Sequence, residues 1–312
     1  MRVLRLEGGR VLTGGRELAG PGAPIWIDLA PAEDDIAFLG ARFGFHPLAL
    51  EDCVHEGQRV KFEQYPDHLF TVVHRLYPAP DESGIQSSEL HAFLTGEALV
   101  TVHQPPIAQL DEVFARCERD PALLARGPDF ALYLIHDAIT DVHFAVVDAL
   151  TQEVEELTEE ALGTMDLQSD LLERIVEARR AHALLRRRLA PQREVYASLA
   201  RPGQAVVRDG TALYFRDVTD HVVRLTEEID GGRDLVSSAM EVHLSRANVR
   251  LASVTTRLTL VATVFLPLNF LAGFFGMNLE ILPPPVAIPL VLGAMVLLPT
   301  GLLWFLRRRR LT

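Results

Sequence analysis

The sequence has few cysteines and no apolar leader. Its two cysteines, Cys53 and Cys117, have no CxxC partner and no zinc-like spacing. They fit a reducing compartment, where free cysteines are usually buried as small hydrophobic groups. The first residues, MRVLRLEGG, contain no signal-peptide core. We therefore expect the N-terminal part not to be exported by a cleaved leader.

Enzyme motifs and an excess of basic residues are also missing. The chain has no Walker-type glycine loop, no G-x-S-x-G and no HExxH, so nothing in it supports an enzyme. Acidic residues outnumber basic ones 42 to 30, giving a formal net charge of −12. Because phosphate binding needs a basic face, this balance argues against nucleic acid as a partner.

Charge is distributed unevenly along the chain. Nearly all of it lies before Arg257, and between Leu258 and Leu306 the only ionisable side chain is Glu280. The first part is typical of a soluble region and the last part of a membrane segment.

Residues 1–135 predict a mixed α/β cytoplasmic domain. Short apolar runs rich in β-branched residues recur there, separated by helical stretches and by turns marked with proline or glycine. The clearest runs are 25–29, 69–73 and 99–102.

Long helices follow. Apolar residues step by three or four between Leu132 and Val154, as one buried helical face does. We predict a helical hairpin over 136–205. Its first arm is acidic and its second ends in arginines, and we expect the opposite charges to pair.

A third helical region carries heptad spacing. Apolar residues recur at intervals of four, three or seven from Val218 to Leu258, which predicts a stalk helix over 206–257. Gly231 and Gly232 lower its helix propensity by about 1 kcal/mol each. They predict a tolerated kink or hinge, and a true break is the alternative.

Two uncharged stretches predict two transmembrane helices, at 258–279 and 288–306, joined by an external loop at 280–287. A basic tail, 307–312, follows. Since positive residues stay in the cytoplasm, both termini are expected there, at an inner or plasma membrane. Two helices cannot enclose a hydrated path, so a pore requires several chains.

Polar residues lie in the first predicted span, where polarity is costly. Thr255, Ala262, Leu266 and Asn269 share one stripe with Leu258 or Thr259. A ring of identical helices would turn this stripe toward its axis. Uncharged oxygens there suit a hydrated Mg²⁺ ion, which gives up its water reluctantly. An interhelical hydrogen bond is the alternative for a single polar residue.

The tripeptide Gly276-Met277-Asn278, between two C-terminal spans and before a basic tail, resembles the signature of the CorA family of divalent-cation transporters. The resemblance extends over nearly the whole chain, through the segments 26–29, 46–53, 58–63, 214–221 and 265–268. It implies a funnel-shaped homopentamer in a lipid membrane that takes up Mg²⁺, often with Co²⁺ or Ni²⁺.

The resemblance also implies roles for individual residues. Gly276 and Asn278 would form the external selectivity site. Below it, Asn269 and Gly273 would line the pore. Leu266 and Leu258 would form its hydrophobic constriction, and Thr255 would mark its inner end.

A regulatory metal is also implied. Asp217 falls where the family places a stalk carboxylate that binds regulatory Mg²⁺ between subunits, and Glu89 is a candidate for its partner in the N-terminal domain. We expect cytoplasmic Mg²⁺ to hold the pore shut by bridging such carboxylates.

The sequence departs from the family pattern at three points. Ala252 stands where the family has a pore-lining asparagine, the outer loop keeps Glu280 as its only carboxylate to attract cations, and the Gly231–Gly232 pair is atypical. These departures bear on rate, selectivity and gating rather than on fold.

Two other functions remain as alternatives: a Zn²⁺ transporter of the same superfamily, with or without proton coupling, and a membrane-anchored coiled-coil scaffold or sensor.

Overall fold

The computed structural model describes residues 1–78, 84–163, 169–275 and 284–308. These residues divide into two compact units, one formed by the described residues up to 240 and the other by those from 241 onward. The predicted boundary between 135 and 136 falls inside a helix, and the one between 257 and 258 inside another.

The first unit contains a seven-stranded sheet. Its strands are β1 (Arg2–Glu7), β2 (Arg10–Gly14), β3 (Ile25–Leu29), β4 (Lys61–Gln64), β5 (Leu69–Pro78), β6 (Ile85–Leu94) and β7 (Ala98–Gln104). They are ordered β2-β1-β3-β7-β6-β5-β4, and only the β3–β7 pair is parallel. The three apolar runs noted in the sequence are therefore strands, as predicted.

Helices cover both faces of this sheet. One face packs against α1 (Glu33–Phe43) and α2 (Pro47–Val54). The other packs against α3 (Ala108–Arg119), α4 (Pro121–Ala125), α5 (Pro128–Gly163), α7 (Gln192–Leu199) and the start of α8 (Asp209–Phe275). The remaining α-helices of the described residues are α6 (Ser169–Leu189) and α9 (Pro284–Arg308), and a short 3-10 helix spans Arg16–Leu18. The predicted α/β domain followed by long helices is thus confirmed.

A buried polar network joins the two parallel strands. The indole N–H of Trp26 donates to the Thr101 hydroxyl at 3.0 Å, and that hydroxyl donates to Asp28 at 2.6 Å. The Arg2 guanidinium and Nε2 of His103 lie 2.8 and 3.2 Å from the same carboxylate, and this carboxylate raises the pKa of His103 against the effect of burial. These partners offset the burial of Asp28 and keep its pKa below the usual value.

The two arms of the helical hairpin pair only in part. Arg174 of α6 contacts Glu160 of α5 at 2.7 Å, as predicted. Arg186 instead pairs with Asp230 of α8 at 2.6 Å, and the guanidinium of Arg188 lies 3.3 Å from His74. The arginines at the C-terminal end of α6 miss the acidic stretch of α5 because this end, through Leu185 and Leu189, packs against the earlier α5 residues Val146, Val147 and Leu150, in an apolar cluster shared with α8 and β5.

Helix α8 runs without a break through Gly231 and Gly232, so the alternative of a helix break is wrong. Gly232 is buried against α6, where a Cβ atom would lie 2.3 Å from Nε2 of His182. The His182 imidazole is itself held, because its Nδ1 donates to the Ala178 carbonyl at 2.8 Å. The second glycine therefore makes room for a buried ring, whereas Gly231 is exposed with open space around it.

These two glycines give a matched test of that packing. We expect Gly232→Ala to destabilise the full-length protein by about 1–3 kcal/mol, since the added methyl group displaces His182. Gly231→Ala should stabilise it by up to about 1 kcal/mol, since alanine has the higher helix propensity. Denaturant unfolding in detergent micelles measures both changes. Equal effects of the two substitutions would contradict the close contact.

Candidate ion pathway and metal centre

The second unit contains the apolar end of α8 together with α9. An apolar window in α8 is long enough to cross a membrane, and none of it is buried within the protein. Helix α5 has a similar window, but 61% of it is buried, as in the core helix of a soluble unit. Of these two helices, α8 is therefore the one whose apolar segment is not buried by the rest of the described chain.

Helix α9 covers one side of this segment. Val264, Pro267 and Leu268 of α8 are half-buried and line a small crevice with Leu298 and Pro299 of α9. These contacts lie on one face, because the residues of α8 are spaced by three and four.

The residues predicted to line a pathway lie on α8 outside this contact. Leu258 and Leu266 are 72% and 76% exposed. Thr255, Asn269 and Gly273 are exposed as well. The structure thus places all five on the side of α8 that its partner helix leaves open.

Asn269 differs from the other polar residues of this segment. The hydroxyls of Thr255, Thr259 and Thr263 each donate to the carbonyl four residues earlier, at 2.7–2.8 Å. The amide of Asn269 forms no hydrogen bond to any residue the structure describes. In an apolar medium such an amide needs water or a group from another chain.

The remaining pathway residues of the sequence prediction, Gly276, Met277, Asn278 and Glu280, lie outside the described residues.

A second group of functional side chains lies in the first unit. Asp217 and His221, one turn apart on α8, meet Asp137 of α5, and one ligand atom from each lies within 4.8 Å of the others. Nε2 of His221 is 3.8 Å from the Asp217 carboxylate. Carboxylate and imidazole groups in this arrangement can hold a divalent cation.

The surroundings of Asp137 favour a bound cation. Burial, together with the nearby carboxylates of Asp141 and Asp217, raises the pKa of Asp137. The Tyr133 hydroxyl also bonds this carboxyl group, and burial raises the pKa of Tyr133 to about 12. A divalent cation would relieve the repulsion among these carboxylates.

Glu89, the predicted partner of Asp217, lies on β6 in a different environment. Its carboxylate accepts from the Gly57 amide at 2.9 Å and lies 3.3 Å from Nε2 of His91. Among the described residues of one chain, the groups gathered at Asp217 are Asp137 and His221, without Glu89. The i, i+4 spacing of Asp217 and His221 on a predicted helix was a signal for the pair that sequence reasoning did not use.

The family assignment follows from similarity along the whole chain. A family model described as "CorA-like Mg2+ transporter protein" matches residues 22–308. The chain belongs to the CorA family. It is 30% identical over 263 residues to the cobalt/magnesium transport protein CorA of Thermotoga maritima, covering 83% of this chain and 74% of that protein.

Solved structures share the fold. The complete CorA magnesium transporter from Methanocaldococcus jannaschii matches with a TM-score of 0.85 at 21% identity, covering 99% of this chain and 98% of that one. The ZntB cytoplasmic domain from Vibrio parahaemolyticus matches with a TM-score of 0.66 at 12% identity, covering 80% and 98%. The predicted family is confirmed, and the chain is a membrane protein of a family of divalent-cation transporters rather than of enzymes.

Asp137 allows a test of the metal centre. The pKa of the Asp137 carboxyl is higher in the folded protein than in the unfolded chain, where it is about 3.9. This difference stabilises the fold at a pH below the unfolded pKa, and the stabilisation is lost as the pH rises through the pKa of the folded state. At pH 7 without metal its charge therefore costs stability, so Asp137→Asn should raise the metal-free Tm by about 1–3 °C.

The same variant should lose more than half of the Tm increase that Mg²⁺ produces, because it lacks one ligand. Asp148→Asn, an exposed carboxylate of α5 outside the group, is the control and should leave both values unchanged. Thermal unfolding at pH 7 with and without Mg²⁺ measures them. A full Mg²⁺ response in Asp137→Asn would rule out this ligand.

Proposed function

We propose that the protein forms a homopentameric channel in the inner or plasma membrane that conducts Mg²⁺, with Co²⁺ or Ni²⁺ as further substrates. The observation that carries this proposal is the uncovered face of α8 with the unpartnered amide of Asn269. In a ring of copies this face meets water at the axis. The exposed aromatic residues Phe265 and Phe270 beside it suit lipid or neighbouring copies.

The pathway residues then have distinct tasks. Glu280 attracts cations outside, and Gly276, Met277 and Asn278 form the entry. The Asn269 amide and the open backbone at Gly273 bind the water shell of the ion rather than the bare ion, because Mg²⁺ dehydrates reluctantly. Leu266 and Leu258 form constrictions that close by excluding water, and Thr255 lies at the inner end.

The topology follows from the same segments. Helices α8 and α9 would be two spans, and the arginines at the end of α9 would remain in the cytoplasm. Both termini and the α/β domain are then cytoplasmic.

A Zn²⁺ transporter, with or without proton coupling, is the second candidate. The ZntB domain shares the fold at low identity. The Thermotoga relative, a cobalt/magnesium transport protein at 30% identity, favours Mg²⁺ or Co²⁺. A scaffold whose spans only anchor it would have no use for an uncovered amide in an apolar segment.

Cytoplasmic Mg²⁺ is proposed to gate the channel at Asp217. The cation would bind Asp137, Asp217 and His221 and bridge to a neighbouring subunit, with Glu89 as a candidate ligand from outside this group. When the cation leaves, the carboxylates repel one another, and the ring loosens and opens.

Ion flux into liposomes tests the conduction proposal. We expect Asn269→Leu to reduce Mg²⁺ flux at least 10-fold, since it removes the group that binds the hydrated ion. Thr263→Val is the control and should retain most of the flux, because that hydroxyl is satisfied by the Thr259 carbonyl. Wild-type flux in both variants would overturn the pathway.

The same assay separates the substrates. We expect Mg²⁺ and Co²⁺ to enter without a pH gradient. Zn²⁺ entry that exceeds both and depends on a pH gradient would favour the second candidate.

A further inference from the structure

A surface groove of about 900 Å³ lies beside the metal centre, within the first unit. It is lined by the residue that follows α4, by Tyr133 of α5, by the residue that precedes α8 and by the first turns of α8. Its lining includes Arg126, Arg208, Thr211, Tyr214 and Asp217. Neither the ion pathway nor the metal centre uses the first four.

Arg126 presents a fixed and unneutralised positive charge to this groove. Its guanidinium lies 3.4 Å from the Phe130 ring centroid and 5.0 Å from that of Tyr214. It forms no ion pair or side-chain hydrogen bond with the residues that the structure describes. All five of its N–H groups are therefore available, and stacking on the two rings limits the entropy lost when they bind a ligand.

Arg208 adds a second guanidinium, held by a buried carboxylate. Its Nε and Nη2 donate to Asp129, which is 1% exposed. At Gly127, whose φ is +99°, a Cβ would lie 2.1 Å from Nη2 of Arg208. This glycine makes room for the arginine, and Nη1 has no partner among the described residues.

The start of α8 supplies neutral donors. Its backbone N–H groups at Thr211 and Ala212 bond the Arg208 carbonyl, and those of Asp209 and Gly210 have no such acceptor. Thr211 is 4% exposed and lines the groove, yet its hydroxyl has no hydrogen-bond partner within the described chain. The Thr211 hydroxyl, the helix N-terminus and the two guanidiniums line the same groove and together supply donors for an anion.

Asp217 at the other end of the groove selects among anions. A simple anion would be repelled by this carboxylate and by Asp137. An anion that carries its own divalent cation would instead place the cation at Asp217 and its negative oxygens at Arg126 and Arg208. Polyphosphates have this chemistry, because their oxygens chelate Mg²⁺.

We infer that the groove binds a polyphosphate together with its divalent cation, through Arg126, Arg208 and Thr211 at one end and Asp217 at the other. The Tyr133 and Tyr214 rings, which lie 4.9 Å apart, offer a stacking surface if the polyphosphate is that of a nucleotide. The cation end of this inference rests on the metal centre proposed above, whereas the anion end does not.

Binding to the full-length protein in lipid nanodiscs tests the inference. Isothermal titration with inorganic triphosphate and with a nucleoside triphosphate, each with Mg²⁺, should give saturable binding. Arg126→Gln should weaken both by about 10- to 100-fold, as expected for the loss of a charge-assisted hydrogen bond. Thr211→Val, which keeps the shape of the side chain, should weaken both by about 2- to 10-fold.

Arg224→Gln is the matched control. Arg224 is also on an exposed surface of the first unit and also stacks on a ring, that of Phe144 at 4.3 Å. Its loss should leave both affinities within about 2-fold, well below the effect of losing a charge-assisted contact. Tighter binding of the nucleotide than of inorganic triphosphate assigns a role to the tyrosines, and equal affinities assign the site to the phosphates alone.

Three results would overturn the inference. The first is no saturable binding of either triphosphate by the wild type at millimolar concentration. The second is the same affinity in Arg126→Gln and Arg224→Gln. The third is dissociation of the oligomer by Arg126→Gln with triphosphate affinity unchanged, which would assign the groove to a contact between copies.

The metal centre is tested separately by omitting Mg²⁺. Asp217→Asn should bind triphosphate more tightly than the wild type in EDTA, since a repelling charge is removed. Suppose that Asp217→Asn does not bind triphosphate more tightly, while Arg126→Gln still weakens binding. The anion site would then be supported, and the proposed position of the cation at Asp217 would be wrong. Liposome flux is a separate measurement and does not depend on either result.

Discussion

Backbone hydrogen bonding in two different media is the constraint on which this structure depends. Helix α8 continues from Asp209 to Phe275, from residues packed in a protein core to residues that no part of the described chain buries. A helix satisfies nearly all of its N–H and C=O groups internally, so it can leave an aqueous domain and enter an apolar medium. One exception in α8 is Pro267, which has no N–H to donate to the Thr263 carbonyl. Side chains alone then determine what each stretch does.

Three stretches of α8 carry three tasks. Its first turns bring Asp217 and His221 to Asp137. Gly232 admits the His182 ring and fixes α6 against the helix. Farther on, α9 covers the face that contains Val264 and Leu268 and leaves Asn269 open. In the proposed channel, a cation that binds near the start of α8 acts on the same helix that lines the pathway.

The periodicity of apolar residues predicted the individual strands and helices, because each of these patterns lies within a single element. Alternating and β-branched runs located β3, β5 and β7, and the three-and-four spacing located α5 and the whole of α8. Contacts between elements could not be predicted in this way. Helix propensity identifies Gly232 only as an unfavourable helix residue and carries no information about His182, which packs against it from α6. For the same reason Asp217 was singled out without Asp137, which lies 80 residues earlier on another helix, and the helix-break alternative was wrong.

Water accessibility along the open face of α8 tests the central claim most directly. In a Cys53→Ala, Cys117→Ala background, single substitutions Leu266→Cys, Asn269→Cys, Val264→Cys and Leu268→Cys would be exposed in membranes to a water-soluble thiol reagent. We expect labelling at 266 and 269 and protection at 264 and 268, where α9 covers the helix. Labelling at 264 and 268 with protection at 266 and 269 would contradict the account.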